Sequence, residues 1–403
     1  MTSPRRWLFA AVALLLLAGS FTGGVWVDQT YPEQVPLLEP GTGQRRDLDQ
    51  ASLDEAMRVI QAHYYDPKLD YQKLSRGSVR GLVQSLGDPY TEYLDPQQVK
   101  GQQDFYAGRH AGMIGIYVNY RDDYPVISGV LPNSPALKAG LQTDDVILRI
   151  GSTDAHGLKS EQTSALIRGP SGSKVTLRVR RGSQELEAVV VRADFQSPSV
   201  ESVRLEADVL YLRIYDFGDA TQREFDAQLS SGLPGARGAV LDLRDNGGGF
   251  VNAATAVISR FLASGEAFEE RGRAGQVNRT DVTGSHPAAK LPLVVLVNGN
   301  TASASEIVSG SLQAHSRARL VGTKTFGKGS VQVDYRLSDG GDLHLTVEHW
   351  FLPNGHSVDK VGLTPDVGVD LTNKAGMFDV VQPARGHAGD TQLNRALQVL
   401  AGQ

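Results

Sequence analysis

Residues 321–332 read VGTKTFGKGSVQ. Gly322, four residues, then Gly327-Lys328 is the opening of a phosphate-binding loop. In such a loop backbone N–H groups cradle the phosphates, and a Ser or Thr after the lysine holds Mg²⁺. Gly329 stands in that place here. The following Ser330-Val331-Gln332-Val333-Asp334-Tyr335 alternates like a strand, so no helix N-terminus is offered to a phosphate. The pattern fails as a nucleotide site, and Lys328 needs another role. A second stretch, NGNTASASE over 298–306, follows the apolar run LPLVVLVNG and opens a helical pattern. It carries Ser303 and Ser305. A serine at a strand-to-helix junction stands exposed at the strand's carboxyl end, with free N–H groups of the next turn beside it. The same pattern also serves as plain helix capping.

The rest of the composition narrows the choice of base. There is no cysteine, so a thiol nucleophile, a thiolate metal site and a disulfide framework are all excluded. No Gly-x-Ser-x-Gly elbow occurs. None of the nine histidines is placed by the sequence beside these serines, and His315 lies about three helical turns beyond Ser303. Lysine can replace histidine as the general base. A free lysine has a pKa of about 10.4, so about one in 2500 is neutral at pH 7. Bringing that down to about 7.4 costs about 4 kcal/mol, which apolar burial supplies. Phe326 and the nearby valines are expected to provide it.

Holding the two groups in place falls to the rest of the chain. It has 403 residues, 40% hydrophobic and 21% charged, enough for two or three domains. A net charge of -5 gives no electrostatic ground for nucleic acid. The N-terminus, MTSPRRWLFAAVALLLLAGSFTGGVWV, sets Arg5-Arg6 before an apolar run of about 20 residues, about 30 Å as a helix. Residues 1–27 therefore read as a signal anchor with its arginines on the cytoplasmic side, or as a cleaved signal peptide with Ala18-Gly19-Ser20 near the cut. Either reading exports the remainder of the polypeptide. Residues 28–46, with three prolines, read as a linker. Helical spacing then recurs from Leu53 to Tyr64 and from Leu74 to Leu86, and Gly87-Asp88-Pro89 stops it. Residues 47–105 form an N-terminal helical region on this reading.

Residues 106–193 change to short strand patterns, with helical patterns at SPALKAGL and SEQTSALIRG and a hairpin around Gly182-Ser183. This order, with LPNSPALKAGLQTDDVILRIG and the tight turn at Met113, Ile114, Gly115 and Ile116, resembles a PDZ domain. Free N–H groups of such a turn can hold a C-terminal carboxylate, and an extended peptide can pair with the next strand. Arg168 reads as a solvated helix-end arginine. From 194 to 372 strands and helices alternate, which argues a mostly parallel, helix-covered sheet. Its strand ends would present three loops, 244–250, 298–305 and 322–330. Residues 373–403 form a C-terminal segment with a helix.

Taken together, VNGNTASASEIVSGSLQ, LVGTKTFGKGSVQ, VLDLRDNGGG, LTVEHWFLPNGHSVDKVGLTPDV and LGDPYTEYL resemble the C-terminal processing peptidases, the S41 family of Ser-Lys serine proteases. The likeness covers about 50–370. It implies Ser303 as nucleophile, Lys328 as base and Gln332 as the residue orienting that lysine. The oxyanion hole would be the N–H of Ala304 with one from Gly248 or Gly249. The resemblance further implies an α/β fold with a crotonase/Clp protease-like spiral core, an inserted PDZ domain and an N-terminal helical region. No cofactor, metal or nucleotide is implied. The partners would be protein or peptide substrates with a free C-terminus, with no nucleic acid. A membrane anchor in an extracytoplasmic, periplasm-like setting is expected, and a homo-oligomer is compatible. One departure is Ala314, where the family often has Asp. Glu306 is expected to favour the helix N-terminus, and Asp242, Arg244 and Asp245 to brace their loop. The rival reading is a non-catalytic PDZ scaffold with a degenerate protease core.

Overall fold

The computed structural model describes residues 49–371, 376–381 and 383–402. The anchor or signal peptide expected over 1–27 and the linker over 28–46 lie outside the described residues. Among those described, no helix is long and apolar enough to cross a membrane. The chain divides into two units, residues 1–85 and 86–403.

The described part of the first unit holds helices α1 (Gln50–His63) and α2 (Tyr71–Gln84). Asp70 caps α2 by accepting from Lys73 N at 3.0 Å. Both are amphipathic, yet α1 buries no residue and α2 only Val83.

The second unit begins with β1 (Glu92–Leu94) and α3 (Pro96–Tyr106). These lie beyond the Gly87-Asp88-Pro89 stop, and β1 is a strand within the stretch 47–105 that was read as a helical region. Proline at the first helical position and a capping box between Asp95 and Gln98 start α3 locally. Next, β2 (Arg109–Met113) pairs antiparallel with β9 (Ala193–Gln196). This two-stranded neck brackets a small barrel. The barrel runs β3 (Ile116–Arg121), β4 (Tyr124–Val130), α4 (Pro135–Lys138), β5 (Val146–Ile150), β6 (Thr153–Asp154), α5 (Ser160–Ile167), β7 (Lys174–Arg181) and β8 (Gln184–Val191). Its sheet order is β3-β4-β5-β7-β8. Ile127, Ile147, Leu177 and Val179 alternate inward to form its core.

The remaining chain builds two sheets. The first is β10 (Val200–Arg204), β11 (Val209–Ile214), β12 (Gly238–Asp242), β15 (Leu293–Val297), β16 (Arg319–Gly322) and β19 (Val367–Gly368), in that order. All neighbours are parallel except β10 with β11. Every residue of β15 is buried because both faces are covered, which is why LVVLV is a continuous apolar run. Leu293, Val295 and Val297 face α6 (Thr221–Gly232), α7 (Val251–Phe261) and α8 (Ala304–Ala314). Val294 and Leu296 face α9 (Thr391–Ala401) through Leu393, Ala396 and Leu400.

The second sheet is antiparallel. It joins β1, β13 (Glu266–Gly272), β14 (Val277–Asp281), β17 (Ser330–Arg336) and β18 (Asp342–Phe351). This corrects the expectation of one mostly parallel sheet, because β17 and β18 do not continue the first sheet. Trp350 and Phe268 carry the second sheet into the core shared with α7 and α8.

Candidate active site

The carboxyl ends of β12, β15 and β16 point the same way, so the loops after them converge. The loop after β15 ends at Ser303, whose backbone holds φ 55° and ψ −122°. A side chain in that region is strained, and the surrounding bonds must hold it there. Thr301 N donates to Asn298 O and Ala302 N to Asn246 O, both within the loop cluster. The two serines of the motif separate clearly. Ser305 is buried and its hydroxyl donates to Asn246 O at 3.0 Å, whereas half-buried Ser303 lines an open cavity.

That cavity has a volume of about 150 Å³, and Ser303, Lys328, Gln332 and Gly249 all line it. Lys328 stands in the loop that leaves the parallel sheet at β16 and enters the antiparallel sheet at β17. Burial drives its pKa below the ordinary lysine range, while the carboxylates of Asp88 and Glu92 oppose the shift. The shielding side chain is Tyr90, whose ring centroid lies 5.0 Å from Lys328 Nζ. Phe326, expected to supply it, is 54% exposed and does not. No hydrogen bond joins Ser303 Oγ to Lys328 Nζ among the described residues. Apart from its ring contact, Lys328 is held by its backbone: its N–H donates to Glu306 Oε2 at 2.9 Å and its carbonyl accepts from Trp350 Nε1 at 3.1 Å.

Glu306 does more than favour a helix terminus. Its carboxylate is fully buried and accepts four donors. Oε2 takes Ser303 N at 3.0 Å and Lys328 N at 2.9 Å. Oε1 takes Gly327 N at 2.8 Å and Thr325 Oγ1 at 2.6 Å. One oxygen therefore ties the Ser303 backbone to the Lys328 backbone.

Gln332 Nε2 donates to Ser330 Oγ at 2.8 Å and Thr346 Oγ1 at 3.0 Å, and makes no bond to Lys328. Its Oε1 accepts from no described residue and remains available to an ammonium. The two glycines differ as well. Gly248 N donates to Asn246 Oδ1 at 2.8 Å, whereas Gly249 N has no acceptor among the described residues. Gly248, at φ 101°, passes so close that an added Cβ would stand 2.8 Å from Ser303 Cβ and 2.9 Å from Ala304 N. Ala304 is the first helical residue of α8, so its N–H has no acceptor within the helix.

The glycine loop is braced by Asp242, Arg244 and Asp245, with added support from the final helix. Arg244 is fully buried, paired with Asp242 at 2.6 Å and with Asp390 at 2.9 Å. Its Nη1 also donates to Gln392 Oε1 at 3.1 Å. Asp390 caps α9, so the final helix, which carries no recognisable motif, anchors this loop. Asp245 Oδ1 accepts from Asn298 Nδ2 at 2.9 Å and Asn300 Nδ2 at 2.8 Å, joining two of the three loops. Ala314 lies at the far end of α8, about 15 Å along the axis from Ala304.

At the barrel, Met113, Ile114, Gly115 and Ile116 line a separate groove of about 750 Å³ with α5 and Arg168. Gly115 takes φ 79°, and a Cβ there would stand 2.3 Å from Ser134 Cβ. Helix α3 walls this groove through Phe105 and Gln98, while its Gln102 and Tyr106 line the Ser303 cavity. Histidine is present at the site after all: His344 of β18 lines the Ser303 cavity. No sequence pattern marks it, because only the β17–β18 register brings it there.

Comparison with known proteins agrees with this architecture. Residues 208–369 match the model of peptidase family S41, residues 126–181 a PDZ domain, and residues 15–98 the N-terminal domain of the activating protease CtpB. A carboxy-terminal-processing protease of Bartonella bacilliformis is 34% identical over 368 residues, covering 83% of this chain and 84% of that one. A CtpA-like serine protease of Staphylococcus aureus is 33% identical over 352 residues, covering 86% of this chain and 70% of that one. Among solved structures, a photosystem II D1 C-terminal processing protease is similar with a TM-score of 0.57 and 26% identity, covering 79% of this chain and 92% of that one. An S41 protease from Bacteroides fragilis has a TM-score of 0.56 at 18% identity, covering 94% and 97%, which speaks to the fold alone.

Proposed function

The chain belongs to the S41 carboxy-terminal-processing proteases, serine-type enzymes with a PDZ domain, and from that premise we propose that Ser303 and Lys328 cleave peptide bonds as a dyad. The observation that carries the reading is the shared cavity, with Ser303 and Lys328 on two loops that one buried carboxylate, Glu306, ties together.

In this reading neutral Lys328 takes the proton of Ser303 Oγ as the oxygen attacks the scissile carbonyl. The oxyanion is received by Ala304 N and Gly249 N, two N–H groups without acceptors among the described residues. Lys328 returns the proton to the leaving amine, and water hydrolyses the acyl-enzyme by the same route. Burial against Tyr90 supplies the neutral amine. Gln332 Oε1 then holds Lys328 in line once its flexible stem swings toward Ser303. Catalytic hydrogen bonds are often long in enzymes without substrate and tighten on binding.

The groove at Met113–Ile116 captures a substrate's C-terminal carboxylate on the turn's N–H groups, with the preceding residues laid along β3. The segment over 1–27 exports the chain and tethers it outside the cytoplasmic membrane.

Incubating the full chain with an unfolded protein tests the reading. Ser303→Ala and Lys328→Ala each reduce cleavage by about 10³-fold or more. Cleavage equal to that of the unaltered protein in either variant refutes the dyad. A substrate with an amidated C-terminus is cleaved more slowly than its free-acid twin, and equal rates refute carboxylate capture.

A further inference from the structure

The wall of the Ser303 cavity carries a charged group that the chemistry above does not use. Along β17, Ser330, Gln332 and Asp334 alternate onto one face, and all three line the cavity. Asp334 stands directly across from His344 on β18, and His344 directly across from Glu92 on β1. The row Glu92, His344, Asp334 thus crosses three adjacent strands. Asp334 Oδ1 meets His344 Nδ1 at 2.6 Å, which leaves Oδ2 unbonded among the described residues, and its side chain is 42% exposed. Glu92 is exposed as well. The fields of these carboxylates reach across the cavity. Glu92 acts on Lys328, and Asp334 acts on Tyr106 of α3, whose phenol is pushed up first by burial and then by Asp334.

We propose that Asp334, set by His344, is a substrate subsite that selects a basic side chain near the scissile bond. The proposal rests on the Ser303–Lys328 reading for where the bond is cut. A substrate peptide lying in the cavity is extended, at about 3.3 Å per residue. Asp334 is two residues beyond Gln332, about 7 Å along the strand, so the selected residue lies within about four positions of the bond. The rest of the cavity lining includes the apolar Val331, Ile307, Trp350 and Phe250 and, among the described residues, holds no other carboxylate. An Arg or Lys side chain reaches past it with its stem on the apolar wall and its head at Asp334 Oδ2. His344 occupies Oδ1 and keeps the carboxylate turned to the cavity, so it acts as a positioning residue.

The test uses the full chain and internally quenched peptides around a bond mapped on an unfolded protein. Arg, Ala or Glu is placed in turn at each of the four positions on either side. At one position kcat/KM for Arg over Ala is about tenfold, and Glu is poorer than Ala. Asp334→Asn brings that ratio toward one, and Asp334→Lys turns it in favour of Glu. The ratio is taken within one preparation, so a loss of active fraction cancels. Ratios near one at every position, or a ratio that survives in Asp334→Asn, overturn the subsite. Failure of the dyad is read separately: cleavage that keeps the Arg preference but persists in Ser303→Ala overturns the dyad and leaves the subsite standing.

Discussion

Replacing Glu306 by Gln keeps its volume and changes one oxygen into an NH₂ group. The four donors around it, Ser303 N, Lys328 N, Gly327 N and Thr325 Oγ1, lie 2.6–3.0 Å from the carboxylate. The lower-cost orientation turns the new NH₂ toward Thr325 and Gly327. Thr325 can rotate its hydroxyl to accept, but the Gly327 N–H is left facing another donor. A lost bond of about 1 kcal/mol and an unsatisfied buried donor at about 1–3 kcal/mol sum to about 2–4 kcal/mol. The opposed donors push the Lys328 loop away from Ser303, and a displacement of about 1 Å costs about 10²-fold in rate. Urea unfolding of Glu306→Gln should show the stability loss, and a quenched peptide should show kcat/KM reduced by about 100-fold. A variant with unchanged midpoint and kcat/KM within twofold of the unaltered protein would refute the idea that this carboxylate sets the two loops. Glu306→Ala is the poorer probe, because four unpaired buried donors threaten the fold itself.

Three more outcomes follow from the structure. Because burial favours the neutral amine of Lys328, the rising limb of kcat/KM against pH should lie below the range of a free lysine. Glu92→Gln removes a carboxylate that favours the ammonium, so the limb should move further down in pH, and an unmoved limb refutes that coupling. Arg244→Leu leaves the buried carboxylates of Asp242 and Asp390 without their shared guanidinium, and should cost about 3–5 kcal/mol in denaturant unfolding. Stability unchanged within error would show that α9 does not anchor the glycine loop.

Much of the candidate site's framework was legible in the sequence because its carriers are local. A five-residue apolar run with both faces covered announces β15, and the small residues after it announce a strand-to-helix junction. Pairwise chemistry between distant segments left no such trace. Tyr90, rather than Phe326, shields Lys328 across 238 positions of chain. Asp390 meets Arg244 from 146 residues away. The alternation of SVQVDYR reads the same in either sheet, so nothing local told that β17 leaves the parallel sheet for the antiparallel one. His344 enters the cavity only through cross-strand register, which a single strand's pattern does not encode. The hairpin of β13 and β14 escaped for a related reason. Its charged residues pair with one another across the ladder, as Arg279 does with Glu269, instead of alternating with apolar ones.

The loop that carries Lys328 crosses from one sheet to the other, so the proposed nucleophile and base have different foundations. Ser303 stands on β15 and α8, Lys328 at the entrance to β17. A newly made chain that has completed only one of the two sheets holds half of the proposed dyad. On the proposed dyad, docking of the two sheets doubles as a safety catch, because neither sheet alone carries both groups.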